Sequence, residues 1–365
     1  MNQIDSQIER PGRMRGVTLH WDGSTREAVH GRSLLIPSNP EVPVTANGIL
    51  PYADNTSIKD LIDANMRVVV ANTCPFPLNR RTHELDKPRD VAVETAKHMN
   101  TYDAMIDLYP NLFVQIRTKE DLKDSLDKEM IGLIYGIEGM KAYRDKEKGL
   151  AFVDKMLEEK GVRFFGPTWN LSNLLATPCY YGDWNGKDRG LSRYGKAVVD
   201  RVVTAGAFVD LAHASPNTML DILDHTGGMV VNTHAGIISA TNHPRNITPE
   251  VAKRIADRGG VIGVPFVGTF VKKDAPGSKA ERADVVRHIN ELVNATGNAQ
   301  AVVLGEDAGG TKDTSAIPGL RRQGEWGIVL AEDLTKYYTD EQVRGFIGEN
   351  GIRFLLINLP SRQAA

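Results

Sequence analysis

Cysteine is scarce in this chain. Only Cys74 and Cys179 occur in 365 residues, and they lie far apart. They form no Cys-x-x-Cys pair, so neither a redox motif nor a disulfide framework organises the fold. Long apolar runs are also missing. None reaches the ~18 residues that a bilayer span needs, and the polar start, "MNQIDSQIERPGRMRG", has no apolar core of a secretory signal. Nor does one sign of charge dominate. The formal net charge is −2 with 25% charged residues, which argues against nucleic acid or an anionic membrane as a partner. These absences lead to the expectation of a cytoplasmic protein that acts on a small molecule, with a homodimer left open.

Apolar residues make up 41% of the chain, enough for a sizeable core. They are grouped into short β-rich runs: "GVTLH" (16–20), "RVVVAN" (67–72), "GLIYGIE" (132–138), "RFFGPTW" (163–169), "AFVDLAH" (207–213), "MVVNTH" (229–234), "GVIGVPF" (260–266) and "AVVLGED" (301–307). Nearly continuous apolar character suits strands buried on both faces. Helix signals lie between them. Ser215-Pro216 and Thr248-Pro249 read as an N-cap followed by proline, and Thr339 with Gln342 reads as a capping box. Eight alternating units predict a (β/α)8 TIM-type barrel. No glycine-rich phosphate fingerprint follows the early strands, which disfavours a doubly wound sheet. The expected organisation is a single domain over 1–365. Strands run from about 14 to 310, and 311–365 form a last loop and C-terminal helices.

Side chains at the C-terminal ends of barrel strands converge on one mouth. Here those ends carry His20 and Asp22, Glu138, His213, His234, and the adjacent pair Glu306 and Asp307. His20 and Asp22 are two apart on a strand and therefore face the same way. Imidazole and carboxylate are ligands for zinc and similar divalent ions. Five such ligands exceed what one catalytic zinc takes, and two metals bridged by Glu138 use them all. Each residue alone has a plainer reading: a core histidine, a turn aspartate, a solvated loop carboxylate. The joint pattern favours a metal centre.

These residues resemble the membrane (renal) dipeptidase family, metallopeptidases of the amidohydrolase superfamily. The resemblance is carried by "LHWDG", "GIEG", "GLSRYGKAVVDRVVTAGAFVDLAHAS", "NTHAG", "NHPRNITPEVAKRIADRGGVIGV", "VVLGEDAGG" and "EQVRGFIGENGIRFL". It implies a hydrolase with two divalent ions, expected to be Zn2+. One would be held by His20, Asp22 and Glu138, the other by Glu138, His213 and His234. Asp307 would be the general acid/base. Arg245 would hold the substrate's carboxylate, a task that suits its planar fork.

The chain departs from the family pattern in three places. Thr168-Trp169-Asn170 stands where the family has Thr-His-Asn, whose histidine is thought to help bind the oxyanion. "GVPFVG" lacks the tyrosine often found after strand 7, and Gly309 replaces the second aspartate of strand 8. The expected function is a dipeptidase-like hydrolase of small amides with a free carboxylate. The alternative keeps the metals and changes the substrate to a specialised non-dipeptide compound. Arg245 favours the first and Trp169 the second. A third reading, a binding protein without turnover, is disfavoured by the retained ligands and Asp307.

Overall fold

The structure is a computed structural model and describes residues 16–22, 61–62, 65–73, 91–140, 145–170, 173–180, 187–273, 280–307, 317, 320 and 323–362. Its strands are β1 (Gly16–Asp22), β2 (Met66–Thr73), β3 (Phe113–Gln115), β4 (Ile131–Glu138), β5 (Phe164–Gly166), β6 (Phe208–Asp210), β7 (Val230–Val231), β8 (Ile262–Val264) and β9 (Val302–Leu304). Every expected run contains one of these strands. The addition is β3, which pairs in parallel with the first half of β4. Three residues are too few to show a period of two.

All strand pairings are parallel, in the order β1-β2-β4-β5-β6-β7, with β8 beside β9. A parallel bridge from Asn232 to Ile262 joins β7 to β8, and β9 packs next to β1. Helices alternate with the strands, as parallel crossovers require. The architecture is the expected α/β barrel. The capping expectations hold as well. Ser215, Thr248 and Thr339 each accept a backbone N–H at a helix start, with proline in the first turn after the first two.

The floor of the barrel anchors the strand that carries Glu138. Along β4, Ile134 and Glu138 share one face. Ile134 belongs to a buried cluster with Val68, Val70, Phe164, Phe208 and Val303, which Ile352, Phe354 and Leu355 of helix Asn350–Asn358 complete. The Phe208 ring centroid lies 5.0 Å from both Phe164 and Phe354. Such a packed aromatic is worth about 3–5 kcal/mol against truncation to alanine. Glu138 therefore stands at the top of a strand face whose lower end is close-packed and fully buried.

Candidate metal centre

Glu138 is the last residue of β4, and His213 and His234 follow β6 and β7 by three residues each. The loops bring their tips together. Glu138 Oε1 lies 2.7 Å from His213 Nε2 and 3.2 Å from His234 Nε2. The two Nε2 atoms are 3.1 Å apart. All three residues are buried.

The far side of each ring decides the proton positions. Thr233 Oγ1 donates to Asp210 Oδ2 at 2.6 Å, so it accepts from His234 Nδ1–H at 2.9 Å. Asp210 is held in turn, its Oδ1 accepting from the backbone N–H of Ala212 and of Thr233. His213 Nδ1 lies 2.7 Å from Asn170 Oδ1, an acceptor, so it too carries the proton. Both Nε2 atoms then present lone pairs to a carboxylate oxygen. Burial first, and the Arg245 guanidinium second, push the His213 pKa down to about 4, which keeps the ring neutral. Three buried acceptors within 3.2 Å of one another repel unless a cation lies among them. Neutral imidazoles and a carboxylate are the donor set of a zinc-type ion, and outer hydrogen bonds of this kind orient such ligands.

The other expected residues gather around this cluster. Asp307 follows β9 by three residues and is 8% exposed, and its charge is felt at His213. His213 and Asp307 both have left-handed backbone, with φ of 63° and 57°. Sparsely populated backbone of this sort concentrates at functional sites. Glu306 is buried beside it, and its carbonyl accepts from Phe266 N–H at 3.2 Å. Arg245 is 1% exposed. Its Nη2 donates to the His234 carbonyl at 3.3 Å and its Cζ lies 5.1 Å from the Phe270 ring centroid. Nε and Nη1 meet no oxygen or nitrogen partner among the described residues, and the guanidinium lies by the buried Cys179 thiol, whose pKa burial raises and the guanidinium pulls back in part. The backbone of His20 and Asp22 lies in β1, with Asp22 paired to Asn72, which is itself paired to Gly136. Their side chains lie outside the described residues, as do Gly309 and Cys74.

The family model for membrane dipeptidases, peptidase family M19, matches residues 61–358. The chain belongs to that family. A dipeptidase of Schizosaccharomyces pombe, itself uncharacterised, is 30% identical over 294 residues, covering 77% of this chain and 66% of the relative's length. A metallopeptidase from Rhodobacter sphaeroides, solved with a phosphinate mimic of the dipeptide L-Ala-D-Ala, superposes with a TM-score of 0.74 at 16% identity. It covers 95% of this chain and 100% of its own. An amidohydrolase from Pseudomonas aeruginosa gives a TM-score of 0.66 at 22% identity, covering 82% of this chain and 91% of its own. The structural likenesses establish the barrel fold. The expected class, a metal-dependent dipeptidase/amidohydrolase-type hydrolase, is the class of the family.

Trp169 makes a visible contact with the site. Its ring stacks on His213 with centroids 5.8 Å apart and planes 28° from parallel. Gly139, with φ of 71°, makes room for it, since a Cβ there would lie 2.4 Å from Trp169 Cβ. Trp169 and Asn170 thus grip one imidazole, by its face and by its Nδ1. Asn170, Thr233 and Asp210 orient the rings and were not among the expected site residues. Asn170 adjoins Trp169 and Thr233 adjoins His234, which is the one signal they offer in sequence. None of the helices in the described residues is long and apolar enough to cross a membrane.

Proposed function

We propose that the protein is a binuclear-metal-dependent, dipeptidase-like hydrolase of a small amide with a free carboxylate, working as one barrel domain. The observation that carries this is the buried trio of acceptors, Glu138 Oε1 and the Nε2 atoms of His213 and His234, mutually within 3.2 Å. In this reading Glu138, His213 and His234 hold one ion, and His20, Asp22 and Glu138 the other, with zinc as the metal. Ions held there would supply Lewis acidity, polarising a carbonyl and bringing the pKa of water toward neutrality. Asp307 holds a proton taken from water and delivers it to the leaving amine. Arg245 keeps open N–H groups at Nε and Nη1, on different edges of the guanidinium, and one of them bonds the substrate's carboxylate. Burial strengthens that bond, because no water competes for it. The R. sphaeroides neighbour's phosphinate ligand mimics a dipeptide, which agrees with this substrate class.

A specific observation favours a second reading, in which the same centre serves a specialised non-dipeptide compound. Trp169 lies flat against His213, at the position where the resemblance to the family implies a histidine. Indole N–H donates one hydrogen bond but carries no charge. A substrate with an aromatic or apolar group near the scissile bond gains from that wall. Metal analysis and a dipeptide panel on one sample test both readings. About two equivalents of zinc with dipeptide turnover supports the first. A metal-loaded protein inert to the panel supports the second, and failure to bind metal on titration refutes both.

A further inference from the structure

His288 lies in the middle of helix Arg282–Thr296, is fully buried, and takes no part in the chemistry above. Its surroundings determine its tautomer. The backbone N–H of Ile237 can only donate, and it points at His288 Nδ1 from 3.0 Å. The proton therefore sits on Nε2, which faces Thr241 Oγ1 at 3.2 Å and the Val271 carbonyl at 3.3 Å. Thr241 Oγ1 donates to the same carbonyl at 2.8 Å, so it is free to accept from His288. Arg287 adds a bond to Val271 O at 2.9 Å.

Asn246 continues the network. Its Oδ1 accepts from Gly236 N–H at 3.0 Å, and its Nδ2 donates to the carbonyls of Thr241 and Phe270, each at 2.8 Å. Gly236 admits this crowding, because a Cβ there would lie 2.6 Å from both Asn246 Oδ1 and His288 Nδ1. One helix residue and one asparagine thus tie down two loops. The first runs from His234 to Ile247 and carries Arg245, and the second, after β8, includes the one-turn helix Gly268–Val271 with Phe270, over whose ring Arg245 sits. The ties attach to Asn246, next to Arg245, and to the Phe270 backbone, and to no reacting group.

We infer that His288, Thr241 and Asn246 form a positioning knot that aims Arg245, and so sets affinity for the carboxylate end of the substrate without entering the reaction. This rests on Arg245 being the carboxylate ligand, as proposed above. It predicts a selective defect. Loosening the knot costs the Arg245–carboxylate bond and spares whatever binds at the metals.

The test uses the full-length, metal-loaded protein and calorimetric binding of two probes that are not turned over. One is the phosphinate mimic of L-Ala-D-Ala and the other is the same compound with its carboxylate capped as an amide. Thr241→Val keeps the shape and removes the hydroxyl, Thr241→Ser restores it, and His288→Asn keeps an acceptor for Ile237 while removing the Nε2 donor. The wild type should prefer the acid. Thr241→Val and His288→Asn should weaken acid binding about tenfold, the scale of a hydrogen bond to a charged group. Amide affinity and metal content should stay near wild type, while the buried hydrogen bonds lost in the two variants lower the melting temperature, and Thr241→Ser should bind the acid as the wild type does. Equal loss for both probes makes the knot a general support and overturns the proposal, as does no loss for either. A wild type that does not distinguish acid from amide overturns the carboxylate reading itself and the proposal with it. That result is visible before any variant is made.

Discussion

Thr233→Val removes one hydroxyl and almost no volume, and it separates the tautomer argument from simple proximity. In the native protein that hydroxyl accepts from His234 Nδ1–H at 2.9 Å and donates to Asp210 Oδ2 at 2.6 Å. With valine there, nothing in that position favours the proton on Nδ1 over Nε2, and the Nε2–H form cannot bind a metal. Loss of an outer hydrogen bond to a ligating histidine typically lowers metal affinity about 10- to 100-fold, or about 1.4–2.7 kcal/mol. Asp210 also loses a donor in a buried setting, although its Oδ1 keeps two backbone N–H groups. The fold should weaken by about 1–3 kcal/mol. Chelator competition with a zinc indicator reads the first quantity and denaturant unfolding of metal-free protein the second. Thr233→Ser should restore both. A Thr233→Val protein that competes for zinc like wild type, while Glu138→Gln does not, would mean that the relay leaves the His234 tautomer unset, and the reasoning fails.

Asp307→Asn should abolish turnover and leave zinc content near wild type, since only a proton carrier is lost; near-normal kcat would move that role to Glu306. Trp169→His should raise dipeptide kcat/KM, toward the factor on the order of 10² to 10³ that a charge-bearing oxyanion donor supplies, and efficient dipeptide hydrolysis by unmodified protein would contradict the premise. Acid should destabilise the metal-free protein in a defined window. Burial, then Arg287, hold His288 down to about 4 from 6.5. Between those values the unfolded chain binds the extra proton, so stability is lost as pH falls from 6.5 toward 4, by about 3 kcal/mol for this one group. His288→Asn should flatten that part of a melting-temperature curve against pH, and an unchanged curve would assign the loss to other groups.

The barrel was legible because parallel strands buried on both faces write themselves as apolar runs, and each run ends where the chain turns polar at the mouth. "AFVDLAH" and "MVVNTH" show this plainly, with the ligand-type histidine at the end of each run. β3 left no such mark because three residues carry no pattern. The site was legible in its inner residues and not in what orients them. Asn170 meets His213 across 43 positions and His288 meets Ile237 across 51. A hydrogen bond at that separation depends on loop geometry, which no local spacing encodes. His288 stands in a helical stretch away from every strand end, and its burial beside a backbone N–H appears only once the loop after β7 is folded over it.

The left-handed turns at His213 and Asp307 also bear on how such an enzyme would decay. Outside glycine, backbone with φ near 60° costs on the order of 1 kcal/mol per residue, less for aspartate. At these two positions the side chain that chemistry needs and the residue that backbone geometry prefers are different. A lineage released from selection for turnover would therefore gain stability by placing glycine at 213 and 307, well before its core drifted.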